Sequence, residues 1–257
     1  MSRLLGMVLM LVWSVAAGAV QVQASGAVTH VGSFELHAGA RLSDAALAAQ
    51  PLPQAYMLGA AWLRPSLLVT QQRLKAGVLF DLASLQRHAR ADGQQELATL
   101  AGAMHEWIGA LSVTGRQSPA LLDPRAVEVN APVNRPVAAG DNLYYPVRPA
   151  TIRVIGAVEQ PCTLPLVPLQ DARRYLPACA TSAAADVDNI YVIQPDGRVF
   201  VQGIALWNRS APLSLAPGAV IYVPLRTRAV QQVDPALNAD IARFLATQLL
   251  PGPGVAR

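Results

Sequence analysis

Lysine is almost missing from this 257-residue chain: Lys75 is the single copy, and every other basic side chain is an arginine. The arginines are scattered, with no basic run and no interleaved aromatics, so the net charge of +4 gives no support to nucleic-acid binding. Histidine is also sparse, and His30, His37, His88 and His105 show no metal-ligand spacing. His105-Glu106 begins a zinc-protease pattern, but Gly109 stands where the second histidine is needed. There is no Gly-x-Ser-x-Gly elbow and no phosphate-cradling glycine loop. No metal or cofactor is expected, and no catalytic residue is assigned. Asp123, Glu128, Asp141, Glu159 and Asp171 could in principle pair for glycoside chemistry, but they read as solvated surface carboxylates.

Long apolar runs are confined to the start. Arg3 precedes Leu4–Ala19, a run short of the ~20 residues a spanning helix needs. With Val22-Gln23-Ala24 as a small-x-small site, residues 1–24 read as a cleavable leader, and the mature chain starts near Ser25. A cut after Ala19 is the alternative, and an uncleaved anchor a third reading. No cysteine stands near the cleavage point, so a lipoprotein is not expected. The only cysteines are Cys162 and Cys179. Export favours a disulfide between them, worth about 3 kcal/mol in the chain-entropy model. Two buried thiols are the other reading, and a catalytic thiolate is disfavoured because the second half has no histidine to activate it.

What is present is a repeated phrase. Gly140-Asp141-Asn142-Leu143-Tyr144-Tyr145-Pro146 returns as Gly218-Ala219-Val220-Ile221-Tyr222-Val223-Pro224. Each is a turn glycine, a short strand with a central tyrosine, and a proline that ends it. The first half reads as an extended stretch over 27–36, a short helix starting at Leu42, and a buried strand over 55–62. Leucines from Leu67 to Leu85, then Leu97 to Leu111, recur at helical spacing around Asp92-Gly93, which predicts an αα-hairpin inserted at about 65–111. Extended patterning resumes over 112–116, and Ala126–Val129 reads as a short strand.

The second half repeats the theme: a strand over 151–158, a short helix over 169–176, and a strand over 189–194. A Pro195-Asp196-Gly197 hairpin turn and a returning strand follow. The order suggests an α+β protein of two tandem β-grasp domains, 25–148 and 149–228, with a generic α+β unit as the alternative. Asp234-Pro235 opens an amphipathic helix over 234–250. That helix docks on its own domain or, in the second reading, meets a membrane surface or a partner.

These pieces resemble the GfcC-like family of capsule biosynthesis proteins. The resemblance rests on Tyr56–Arg64, Val113-Thr114-Gly115-Arg116, Arg135-Pro136 with Gly140-Asp141, Gln194–Arg198, Trp207-Asn208 and Pro217–Pro224, in that order along nearly the whole mature chain. It implies a periplasmic protein with two β-grasp domains, a helical insert and a terminal amphipathic helix, similar to the β-grasp part of outer-membrane polysaccharide exporters. It carries no enzymatic activity. The chain departs from the exporters in lacking a lipobox cysteine and a preceding polysaccharide-export domain.

Arg116 is the candidate substrate-binding residue, placed to hold a carboxylate of an acidic sugar in a cleft between insert and domain; a structural ion pair is the alternative. Trp62 and Trp207 could stack on sugar rings or pack in the core. The expected function is a non-enzymatic binding or scaffold module of capsule or exopolysaccharide assembly, with polysaccharide or export proteins as partners. A polysaccharide-modifying enzyme and a subunit of an oligomeric export channel are the rivals.

Overall fold

A computed structural model describes residues 18–251. The first unit runs β1 (Val20–Gly26), β2 (Gly32–Leu36), α1 (Leu42–Ala49), β3 (Ala61–Leu63), α2 (Leu68–Ala91), α3 (Gln95–Ala110), β4 (Arg116–Gln117), α4 (Pro124–Glu128) and β5 (Asn142–Tyr145). Its sheet has the order β2-β1-β5-β3-β4, with β1 and β5 parallel and every other pair antiparallel.

The second unit repeats this plan. It comprises β6 (Thr151–Gly156), β7 (Cys162–Pro165), a 3₁₀ turn over Ala172–Ala178, β8 (Asn189–Ile193), β9 (Val199–Gly203) and β10 (Val220–Val223). The order is β7-β6-β10-β8-β9, and the parallel pair is β6 with β10. A helical turn, α5 (Thr227–Val230), and α6 (Leu237–Ala246) complete the described chain. The protein is therefore a mixed α+β molecule of two tandem sheet units.

The repeated phrase marks β5 and β10, the strands that accept a parallel neighbour. A second repeat sits at the other end of each unit, Gly26-Ala27-Val28 and Gly156-Ala157-Val158. After each glycine the chain leaves the parallel pair by one more hydrogen bond: Ala27 N donates to Tyr145 O at 2.7 Å, and Ala157 N to Val223 O at 2.8 Å. The glycines are required there. Gly26 has φ +87° and a Cβ on it would lie 2.1 Å from Tyr145 O; Gly156 has φ +101° and its Cβ would lie 2.3 Å from Val223 O.

The two cores are distinct. In the first, Val22, Leu42, Trp62, Leu122, Leu143 and Tyr145 meet between sheet and α1. Helices α2 and α3 belong by chain position to the first unit but by packing to the second: Val78, Leu82, Leu85, Met104 and Ile108 join Ile152, Val154, Ile221 and Phe244 in one cluster. Their spacing of three and four residues puts one stripe of each helix inward. Helix α6 lies against α2 and the second sheet, with Leu237, Ile241 and Phe244 fully buried. The apolar side is thus covered by the protein itself, as in the first of the two readings, and α6 is shorter than the 234–250 reading. Asp234 accepts from Ala236 N at 2.7 Å but sits ahead of the helix.

Other sequence expectations are revised. Ala126–Val129 is not a strand: Asp123 caps α4 by accepting from Ala126 N at 2.9 Å, and Pro124 takes the first helical position. The strand read over 55–62 shrinks to Ala61–Leu63 because Met57–Gly59 form a 3₁₀ turn. That turn puts Gly59 against the tail, where a Cβ would lie 2.5 Å from Leu250 Cδ1. The short helix over 169–176 is the 3₁₀ turn at 172–178. Of the leader expected over 1–24, residues 1–17 lie outside the described residues and 18–24 within them. The strand β1 starts at Val20, and Val22 and Ala24 are buried in the first core. A domain starting at residue 25 would lack most of this strand, whereas one starting at Val20 keeps it whole.

Three expected outcomes follow from the backbone. If the leader is cleaved, N-terminal sequencing of the exported protein should read Val20 rather than Ser25. Gly156→Ala should lower stability by about 2 kcal/mol or more, through strain and the clash with Val223 O. Gly77→Ala, in the exposed middle of α2 with open space around it, should raise stability by roughly 0.5–1 kcal/mol. Urea unfolding of the two variants checks the opposite signs.

Candidate functional site

Four segments converge where β4 begins. The chain returns from α3 through Ser112–Gly115, and Gly115 adopts φ +71° against the backbone of Arg64. Gln71 of α2 holds this return from both sides: its Nε2 donates to Arg116 O at 2.9 Å and its Oε1 accepts from Gly115 N at 2.8 Å. Thr114 Oγ1 donates to Thr247 O at 2.7 Å, and Gln248 Nε2 donates to Ser112 O at 3.1 Å. The single lysine also works here, with Lys75 Nζ donating to Gly109 O and Leu111 O at the end of α3.

Arg116 occupies the centre and is 4 % exposed. Its Nη1 donates to Gln248 O at 2.9 Å and Ala246 O at 3.4 Å, and its Nη2 donates to Pro195 O. The first two carbonyls lie at the C-terminal end of α6, where the helix dipole favours a cation. The third belongs to the β8–β9 hairpin of the other unit. Burial pulls the guanidinium down to about 10, with Asp196 acting in the opposite direction, so it stays charged at neutral pH. Gly197 of the same hairpin sits on Ser118, which would lie 2.3 Å (Oγ) from a Cβ at that position. A cavity of about 330 Å³ adjoins the junction, lined among others by Gln71, Arg116, Ser118, Arg243 and Thr247. Arg116 Nε and Ser118 Oγ are both buried without a hydrogen-bond partner among the described residues.

This placement differs from the sequence expectation. Both terminal nitrogens of Arg116 are directed at backbone carbonyls, not at an open cleft, and its partners are not an ion pair. Trp62 does not join it. In the β3–β4 ladder Trp62 faces Gln117 and Leu63 faces Arg116, so the Trp62 and Arg116 side chains leave opposite faces of the sheet. Trp62 is 1 % exposed, and its Nε1 donates to Asp141 Oδ2 at 2.9 Å. The Arg64 guanidinium lies over its ring, 4.3 Å from the centroid. Asp141, from the repeated phrase, is thus a buried acceptor and not a solvated carboxylate, as is Asp171, which Arg173 and Gln202 engage.

Trp207 is the reverse case. It is 78 % exposed, with Nε1 donating to Asp188 Oδ1 at 3.1 Å, so it does not pack in the core. Cys162 and Cys179 form a disulfide that ties β7 to the end of the 172–178 turn.

Removing the central cation should loosen the junction as a whole. Arg116→Ala leaves three carbonyls without their charged donor and should cost about 3 kcal/mol in urea unfolding. Arg116→Lys should recover only part of this, because a point charge cannot reproduce the planar fork.

Comparison with known proteins agrees with this architecture. Residues 16–148 match the model for "Capsule biosynthesis GfcC, N-terminal" and residues 160–250 the model for "Capsule biosynthesis GfcC C-terminal". "Uncharacterized protein YjbG" of Escherichia coli (strain K12) is 34% identical over 161 residues, 63% of this chain and 64% of that protein. The aligned part thus spans just under two thirds of the relative. With both halves of the chain matched in order, and the first match alone covering more than half of it, the chain belongs to the GfcC family of capsule biosynthesis proteins.

Proposed function

We propose that this protein is a periplasmic accessory of capsule or exopolysaccharide assembly or export, acting as a binding or scaffold module and not through catalysis. Family membership supports the pathway. The Cys162–Cys179 disulfide suits an exported protein in an oxidising compartment. The β-grasp reading of each unit is supported by the two identical strand orders, each with its parallel pair placed inside antiparallel neighbours.

The observation that carries the scaffold reading is the use made of Arg116. The residue with the best claim to substrate chemistry instead binds the hairpin of one unit and the tail to the strand of the other. A protein built this way offers partners a fixed geometry between its two sheets. The enzymatic alternative, centred on Arg116, would need a guanidinium free to meet substrate. A channel assembled through the tail helix would need the α6 apolar face, which is covered here. Polysaccharide and the export machinery remain the partners of this proposal, and no cofactor enters it.

A clean in-frame deletion should lower surface polysaccharide, and the wild-type gene supplied in trans should restore it. Normal surface polysaccharide in the deletion strain would overturn the proposal. Polysaccharide incubated with the purified protein should keep its chain length and linkages.

A further inference from the structure

A large concavity lies on the second unit, away from the Arg116 junction. It is an open groove of about 1160 Å³ between the 172–178 turn and the 180–187 loop. This exceeds the roughly 300–1,000 Å³ of a small-molecule pocket and suits a segment of an extended chain. Its walls are held in place. The disulfide anchors Cys179, which lines the groove, and Glu96 of α3 accepts from Ser182 Oγ and Ala183 N at 3.0 Å each. Asp186 accepts from Asp188 N and Asn189 N at 2.9 Å and from Thr227 Oγ1 at 2.6 Å.

With those acids engaged, a different set of polar groups faces the groove unpaired. Among the described residues the Arg174, Arg209 and Glu159 side chains make no hydrogen bond or ion pair, and all three are exposed. Arg173 gives Nε and Nη2 to Asp171, while its Nη1 is buried with no acceptor. Donors and an acceptor therefore stand together on a concave surface. Hydroxyl groups, which donate and accept at once, match such a mixture better than a ligand of one charge sign.

Trp207 does not itself line the groove, but its neighbours do, and it adds an aromatic face beside it. Trp207 bonds Asp188, the residue after the groove-lining Val187, and Arg209 two positions on lines the groove itself. The Asp188 bond fixes the indole, yet the ring is 78 % exposed beside Leu206 at 86 % and Val187 at 74 %. Large apolar side chains left in water together mark a contact surface. A fixed indole with an open face is a flat apolar platform that costs little ordering on binding.

We propose that this groove binds a saccharide segment of several rings, with Trp207 as the stacking platform and Arg174, Arg209 and Glu159 as hydroxyl ligands. The proposal deepens the pathway reading above by naming the ligand class and its site, and it rests on that reading for the identity of the natural glycan.

The test uses the full mature protein with its disulfide intact. The probes are surface-polysaccharide fragments from the producing strain, maltohexaose and hexagalacturonate, and poly-glutamate serves as a non-sugar control. The expected result is saturable binding of at least one saccharide by calorimetry, with a shift of the Trp207 indole N–H resonance and none at Trp62. Trp207→Ala and, separately, Arg209→Ala should weaken that binding at least tenfold while leaving the circular dichroism spectrum and melting temperature unchanged. Trp207→Phe, which keeps a ring, should lose less than Trp207→Ala. Absence of binding to every saccharide, binding indifferent to these variants, or equal binding of poly-glutamate would overturn the proposal. Loss of capsule on deletion combined with no saccharide binding would reject the groove and leave the pathway standing. Normal capsule combined with Trp207-dependent binding would do the reverse.

Discussion

A single guanidinium, that of Arg116, spans the space between strand β4, the end of α6 and the β8–β9 hairpin. Placing a cation there is costly unless every terminal nitrogen finds an acceptor. The acceptors come from Pro195, Ala246 and Gln248, far from Arg116 in the chain and far from one another in two cases. They are in position only when the second unit and the tail are folded against the first. The charge thus makes the docking of these parts all-or-none: a partly undocked state would leave either the cation or the helix-end carbonyls buried without partners.

Other contacts depend on the same docking. Leu250 reaches across both units, filling the space where Gly59 of the first and Gly218 of the second carry no side chain, while Tyr144 OH donates to its carbonyl at 2.9 Å. The helices inserted into the first unit complete the hydrophobic core of the second. They also prop the wall of the proposed saccharide groove through Glu96. The chain holds two sheets of the same strand order. The insert, the tail and one arginine convert them into a body with a defined relation between its surfaces, and the groove and its exposed tryptophan lie on that body's second half.

Much of this plan is legible in the chain. Turn glycine, central tyrosine and terminal proline identified β5 and β10, and leucine spacing located α2 and α3, because these signals are local. The companion repeat at Gly26 and Gly156 is harder to see, because a small-x-small pattern ending at Ala24 masks β1. Small alternating residues such as Val22, Gln23 and Ala24 satisfy a protease and a half-buried strand equally well. In α4 the Asp123-Pro124 cap was present but outweighed by β-branched Val127 and Val129. The site was less legible. Arg116 stood out in the sequence, but its carbonyl partners carry no side-chain signature and lie in other parts of the chain. For Trp207 the sequence leaves core packing and sugar stacking both open, because tryptophan suits either; only the surrounding loop puts it at the surface.

The all-or-none docking of the two units is tested most directly by differential scanning calorimetry of the disulfide-bonded protein starting at Val20. One transition, with equal calorimetric and van't Hoff enthalpies, is expected if Arg116, the insert and the tail bind both units into one cooperative body. Two separable transitions, or a calorimetric enthalpy well above the van't Hoff value, would contradict it.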